Sequence, residues 1–198
     1  IVRTMAGATR TQDIGPMIQS GTLSDFLIRP MNFFGFAISR DIADKSLNVL
    51  FAIGEFFLLF VLFRPPFYLQ SNLATLGASG IALVFSVVIF FEFNLILSLL
   101  GFWTHEIWAP RFISFVLLEF LGGIMFPLDI LPKALATLAH FLPFGYFIYF
   151  PIKVYLGQLS VTDTLQGFSI AASWVVIFGG LSLFMWKRGL CTYTAEGK

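Results

Sequence analysis

The chain has 198 residues, 58% hydrophobic, 18% aromatic and 12% charged, with a formal net charge of +1 and a mean hydropathy of +0.87. Soluble domains carry about a quarter charged residues, so this balance excludes them and indicates an integral membrane protein. It also excludes a nucleic-acid partner, which requires a clustered basic face, while the single Cys191 excludes an intrachain disulfide, and His105 and His140 alone form no metal constellation.

The chain starts at Ile1 without an initiator Met or a signal-peptide pattern, and further sequence is expected upstream. Residues 1–46 read as a cytoplasmic segment. Within it, Thr22 or Ser24 is positioned to cap a short helix carrying Leu23, Phe26 and Leu27 on one face, which Pro30 ends. Residues 31–44 set Phe33, Phe34, Ala37, Ile38 and Ile42 against Ser39, Arg40, Asp41 and Asp44. That pattern suits a helix lying in the membrane surface or one packed on neighbouring spans.

A span needs about 20 mostly apolar residues. Residues 47–63, holding Asn48 and Glu55, and residues 76–100, holding Glu92, meet this, as does the uncharged stretch 165–186. A polar turn, Phe102-Trp103-Thr104-His105-Glu106-Ile107-Trp108, separates the second span from the third. The third, over residues 112–126, is the weakest and spans only when extended to about 108–127; Gly122, Gly123 and Pro127 fit a helix that stops within the bilayer. From residue 117 to 151 the apolar run is cut by Pro127, Pro132, Pro143 and Pro151. Each proline removes a backbone donor and clashes with the preceding turn, and unpaired backbone groups cannot face lipid. Residues 128–153 are therefore expected to enter the membrane and turn back, buried in protein or lining a polar cavity, an arrangement of transport proteins.

Lys and Arg favour the cytoplasmic side. With both termini inside, nine fall there (Arg3, Arg10, Arg29, Arg40, Lys45, Arg111, Lys187, Arg188 and Lys198) against Arg64, Lys133 and Lys153 outside. Lys187 and Arg188, directly after the last span and beside Trp186, are the strongest marker.

Burying a lone carboxylate in a span costs at least about 2.5 kcal/mol, so Glu55, Glu92 and Glu119 are expected to face the protein interior or to be protonated. They are candidates for a translocation path or proton relay; hydrogen bonds to Asn48, Asn94, Ser98 or Ser114 across helices are the structural alternative. Among the 26 phenylalanines, Phe144, Phe147 and Phe150 suit either an aromatic route or interhelical filler. Gly77 with Gly80, and Gly179 with Gly180, permit close helix approach but lack the GxxxG spacing. No HExxH, GxSxG or P-loop occurs, so the chain has no ATPase site of its own. His105 with Glu106 as the acid/base pair of an intramembrane transferase or hydrolase, and a scaffold without transport, are the alternatives to transport.

The run Ile18-Gln19-Ser20-Gly21-Thr22-Leu23-Ser24-Asp25-Phe26-Leu27-Ile28-Arg29-Pro30-Met31-Asn32 resembles the "sGxL…LLRPxN" signature of a bacterial family of ABC transporter permeases in the type-2 exporter class. Matches follow in order at Phe102-Trp103-Thr104, Gly122-Gly123-Ile124-Met125-Phe126-Pro127-Leu128 with Leu131-Pro132, Leu142-Pro143-Phe144, and Arg188-Gly189-Leu190 with Tyr193-Thr194-Ala195-Glu196-Gly197. The resemblance implies an all-α polytopic permease of the bacterial inner membrane, a single domain over residues 1–198. Six spans are usual in that family against four here, so two are expected before Ile1. It further implies two ATPase subunits that bind the ATP and magnesium, a second permease subunit, and no cofactor on this chain.

By position, residues 21–30 resemble the main coupling element and residues 102–108 the second, with Trp103 and His105 on the latter. Leu23, Phe26 and Leu27 are the candidate anchors for a groove on the ATPase, and Asp25 and Arg29 the candidate rim charges. Burial of the three apolar residues against the subunit's own helices, and snorkelling of Arg29, are the alternatives. A re-entrant outer hairpin containing Pro127, Pro132 and Pro143 is also characteristic of the class.

Overall fold

A computed structural model describes residues 9–64, 69–125 and 127–194. Arg3 and Lys198 of the charge count, Phe126, and Ala195 to Gly197 of the tail motif lie outside the described residues.

Every regular element among these residues is helical. After a 3-10 turn, Arg10–Asp13, come α1 (Ile14–Gln19) and the single turn α2 (Ser24–Leu27). Three long helices follow the same logic: an Asn or Ser side chain satisfies the free N–H groups at the start, and an apolar run continues unbroken. In α3 (Phe33–Phe63) Asn32 Oδ1 accepts from Gly35 N at 3.1 Å. In α4 (Leu73–Leu99) Asn72 Oδ1 accepts from Ala74 N and Thr75 N. In α8 (Val161–Thr192) Ser160 Oγ accepts from Asp163 N at 3.1 Å. Between α4 and α8 lie α5 (Trp108–Leu121), α6 (Lys133–Phe141) and α7 (Tyr149–Tyr155).

The chain is an all-α, multi-pass membrane protein. Among the described residues three helices are long and apolar enough to cross a membrane: Phe33–Phe63, Leu73–Phe102 and Val161–Thr192. Two sequence expectations change. The surface helix of residues 31–44 and the span of residues 47–63 are one continuous 31-residue helix, because no breaker separates them and Lys45 pairs with Asp41 one turn back instead of leaving the helix for water. The expected span 108–127 is a 14-residue helix, about 21 Å long. It ends at Gly122, and Gly123 adopts φ +74°, a conformation that costs glycine little.

The hairpin over residues 128–153 follows from its prolines. Pro127 and Pro132 immediately precede the 3-10 turn Leu128–Ile130 and α6, and Pro143 opens the 3-10 turn Pro143–Tyr146. Pro151 lies in the first turn of α7, where its missing N–H is not needed. The turn of the hairpin packs halfway along the long helices. Ser86 Oγ donates to Phe147 O, the Phe90 and Phe147 rings stand 5.4 Å apart edge to face, and Trp174 Nε1 donates to Phe141 O at 2.9 Å. The return arm is tied by Gln70 Nε2 donating to Tyr155 O at 2.9 Å.

α4 and α8 run side by side in the same direction, with ring pairs Phe85–Phe168, Phe93–Phe178 and Phe102–Trp186 in succession. Gly189 allows α8 to approach the end of α4, where an added Cβ would lie 2.1 Å from Phe102 Cδ2, and Gly167 allows it to approach α7, where one would lie 2.2 Å from Phe150 Cε2. The glycines singled out in the sequence behave differently. Gly77, Gly80 and Gly180 have nothing within 4 Å of such a Cβ, and Gly179 faces Glu92. One core joins the middle of α4 and α8 to the hairpin turn; a second gathers α1, α2 and the ends of α4 and α8. Most of α3 beyond Ala52 is exposed apolar surface.

Candidate coupling surface and membrane cavities

The N-terminal segment is fastened beneath α4 and α8. Ser98 Oγ donates to Thr11 O at 2.6 Å, and Arg111 Nη2 donates to Gln12 O at 2.9 Å and to Ser98 Oγ at 2.8 Å. Ile14, Ile18 and Leu23 then enter the core with Leu95, Leu99, Phe102 and Met185. Leu23 is fully buried there, at 0% exposure, so it cannot fill a groove on another protein. This corrects its assignment as an anchor.

The loop around Leu23 is held by the chain's own tail. Tyr193 Oη donates to Gly21 O at 2.6 Å and accepts from Ser24 N at 3.1 Å, a tie across more than 160 residues. The expected caps are also corrected. Leu23 occupies the N-cap position of α2 without a side-chain bond, because Thr22 Oγ1 donates to Met17 O and Ser24 Oγ to Gly21 O.

What the loop presents outward is therefore a different set. Phe26 is half-buried, its ring 4.7 Å from that of Phe36 and 5.9 Å from the Arg29 guanidinium. Leu27 is 45% and Ile28 83% exposed, with Met31 beside them, and Asp25 and Arg29 are exposed. Sequence reasoning missed Ile28 and Met31, since periodicity over a single turn does not define a face. The Arg29-Pro30 pair was the available signal: a helix that must end there cannot fold Ile28 back onto its own core.

Trp103 and His105 are exposed on the second loop, and Gln19 Nε2 donates to Thr104 O at 3.3 Å and His105 O at 2.9 Å. The helix leading into the first candidate coupling element, α1, is thus joined to the second.

A further clasp fixes α3 to the same segment. Asp41 and Lys45, 3% and 7% exposed, form an ion pair, and Thr9 Oγ1 donates to Asp41 Oδ1 at 2.7 Å. Arg10 pairs with Asp44 and Arg40 with Asp13, both at 2.7 Å. The sequence placed Asp41 on a polar outer face; the returning N-terminal segment covers it.

The three glutamates do not converge. Glu55 is exposed on α3. Glu92 points toward α8 at Gly179, and its Oε2 is buried without a hydrogen-bond partner, as is Ser182 Oγ one helical turn beyond Gly179. Glu119 borders a separate cavity of about 370 Å³ between α4, α5 and the hairpin turn, with Asn94, Arg111 and Ser114. The hydrogen-bond partners proposed for the glutamates bond elsewhere: Asn94 Nδ2 to Phe90 O, Asn48 Nδ2 to Asp44, Ser98 to Thr11 O and Ser114 to Pro110 O. Phe144, Phe147 and Phe150 are buried in the core, which is the filler arrangement. Among the described residues no group of three or more His, Cys, Asp or Glu is placed to hold a metal ion.

A family model described as "ABC-2 family transporter protein" matches residues 1–197. The chain belongs to the ABC-2 transporter family. No curated protein and no solved structure matches it. The protein is thus a transport permease. At the end opposite the candidate coupling loops, Lys153 Nζ lies 2.6 Å from Asp129 Oδ2, and Tyr149 Oη donates to Asp129 Oδ1. These two partners hold the Asp129 carboxyl below the usual carboxylate range and pin the strap before α6 to α7.

Proposed function

We propose that this permease is the membrane subunit of an ATP-driven exporter, moved by two ATPase subunits and paired with a second permease subunit. ATP and magnesium bind on the ATPases, and the chain itself carries no cofactor. The positive residues at the Tyr193 end support a cytoplasmic location for that end and for both termini of this chain, in a bacterial inner membrane, with the proline hairpin on the outer side.

The observation that carries the reading is the construction of residues 21–31. An exposed apolar edge, Leu27, Ile28 and Met31, is mounted on a loop whose root, Leu23, is buried against α4 and α8. A partner that grips the edge moves the root, and the root cannot move without α4 and α8. Closure of two ATPases on ATP would pass through these packed contacts, and Tyr193 prevents the loop from yielding on its own. Asp25 and Arg29 flank the edge as rim charges, and Trp103 and His105 extend it through Gln19.

Glu119, at the 370 Å³ cavity, and Glu92, at the α4–α8 seam, are proposed as polar stations on or beside the route. Glu55, exposed on an apolar helix, suits contact with the second permease subunit rather than lipid. Pro127, Pro132 and Pro143 build the re-entrant wall that closes the route on the outer side.

The test is co-purification in mild detergent with a partner P-loop ATPase. Ile28→Asp should release the ATPase while leaving the permease folded. Retention of a stoichiometric ATPase in Ile28→Asp and Leu27→Asp would remove this surface from the coupling role.

A further inference from the structure

The hairpin encloses a second cavity of about 210 Å³. Its chemistry changes with depth. Gly145 and Tyr146 form the inner end, beside the hairpin turn, and Ala136, Ala139, Phe150 and Leu159 the apolar sides. His140 stands by the inner end, its carbonyl accepting from Tyr146 Oη at 3.0 Å, and at the other end stand Asp129, Lys153 and Asp163, with Tyr149 bonded to Asp129. An apolar sleeve with a charged mouth fits a ligand that is itself polar at one end.

Two features choose the sign of that end. Lys153 and Asp129 neutralise each other, which leaves the exposed Asp163 carboxylate, accepting from Ser160 Oγ at 2.6 Å, as the net charge of the mouth. The rings of Tyr146, Tyr149 and Phe150 line the wall, and aromatic faces attract cations. Lys153 Nζ lies 5.4 Å over the Tyr149 ring, which leaves the Tyr146 and Phe150 rings for a ligand. Size restricts the rest. Drug-sized ligands occupy about 300–1,000 Å³, so a cavity of about 210 Å³ takes a small ammonium bearing one ring or a short chain, not a whole lipid.

We infer that the cavity inside the proline hairpin is a binding site for a small amphiphilic organic cation. Its ammonium stands at the Asp163 carboxylate, beside the Lys153–Asp129 pair, and its apolar body runs inward between α6 and α7. That the site is the outer station of an export route rests on the exporter reading above; the binding itself does not.

The experiment uses the full chain in nanodiscs without any ATPase. Binding of benzyltrimethylammonium is compared with that of benzylsulfonate and benzyl alcohol by calorimetry or ligand-observed NMR. The cation should bind about tenfold or more tightly than the other two, and Asp163→Asn should weaken it several-fold. Asp163 is exposed, and its N–H cap from Ser160 survives that change. Ala136→Trp fills the cavity without touching a charge and should abolish binding. Equal binding of the three probes, or undiminished cation binding in Asp163→Asn or in folded Ala136→Trp, overturns the inference. If the cation binds but ATP-dependent export of it is absent, the site stands and the exporter reading fails for this ligand.

Discussion

The contrast between Leu23 and Ile28 yields the sharpest test, because two neighbouring apolar residues are assigned opposite tasks. Leu23 is fully buried and Ile28 is 83% exposed. Leu23→Ala leaves a cavity among Leu99, Phe102 and Met185 and should cost about 2–5 kcal/mol of stability, lowering the thermal midpoint by roughly 4–20 °C for a chain of this length. Ile28→Asp changes a solvated position and should shift stability by no more than about 0.5 kcal/mol. Its cost falls on docking: burying an isoleucine contributes about 1.5–3 kcal/mol, so the ATPase should bind about ten- to hundredfold more weakly, and more weakly still for leaving a carboxylate in an apolar groove. Detergent-solubilised thermal melts report the first effect and titration of the purified ATPase the second. The reasoning is refuted if Leu23→Ala releases the ATPase at an unchanged midpoint, or if Ile28→Asp lowers the midpoint and leaves affinity intact.

Tyr193→Phe removes the hydroxyl that joins Gly21 and Ser24, a loss of about 1 kcal/mol per bond; amide hydrogen exchange in residues 21–28 should rise, and transport per ATP should fall while the ATPase stays bound. Gly189→Ala drives a methyl into the Phe102 ring and should destabilise by about 1–3 kcal/mol, with recovery in the double variant Gly189→Ala/Phe102→Leu, read by thermal melts. The Asp129 carboxyl is held low by Lys153 and Tyr149, so its contribution to the hairpin is complete above the ordinary carboxylate range and is lost as pH falls through its depressed value. Hydrogen exchange in residues 127–141 should rise over that acidic interval, and Asp129→Asn should show the faster exchange already at neutral pH. Glu92→Gln should leave assembly intact and alter transport; unchanged transport would leave Glu92 as a structural group at the α4–α8 seam.

Several features were legible in the residues alone because they depend on neighbours in sequence. Apolar runs and prolines dense enough to forbid a plain span define helices and a folded-back hairpin by local physics. The third span was readable only as weak, since Gly122 and Gly123 end it before the length is reached. Local pattern failed where distant segments meet. Asp41 looked solvated because Thr9, which covers it, lies 32 residues away. Leu23 looked like an outward anchor because its lining comes from the ends of α4 and α8. Gly167 and Gly189 carry the close approach because large rings happen to oppose them, which no small-residue spacing reveals.

Membrane insertion, the all-α class and family membership belong to the sequence itself, since composition and the order of short motifs survive without any knowledge of contacts. Which face of each helix is covered was decided by tertiary structure. In a chain this apolar almost every face could be buried, and only the returning N-terminal segment, the Tyr193 tail and the hairpin turn select which ones are.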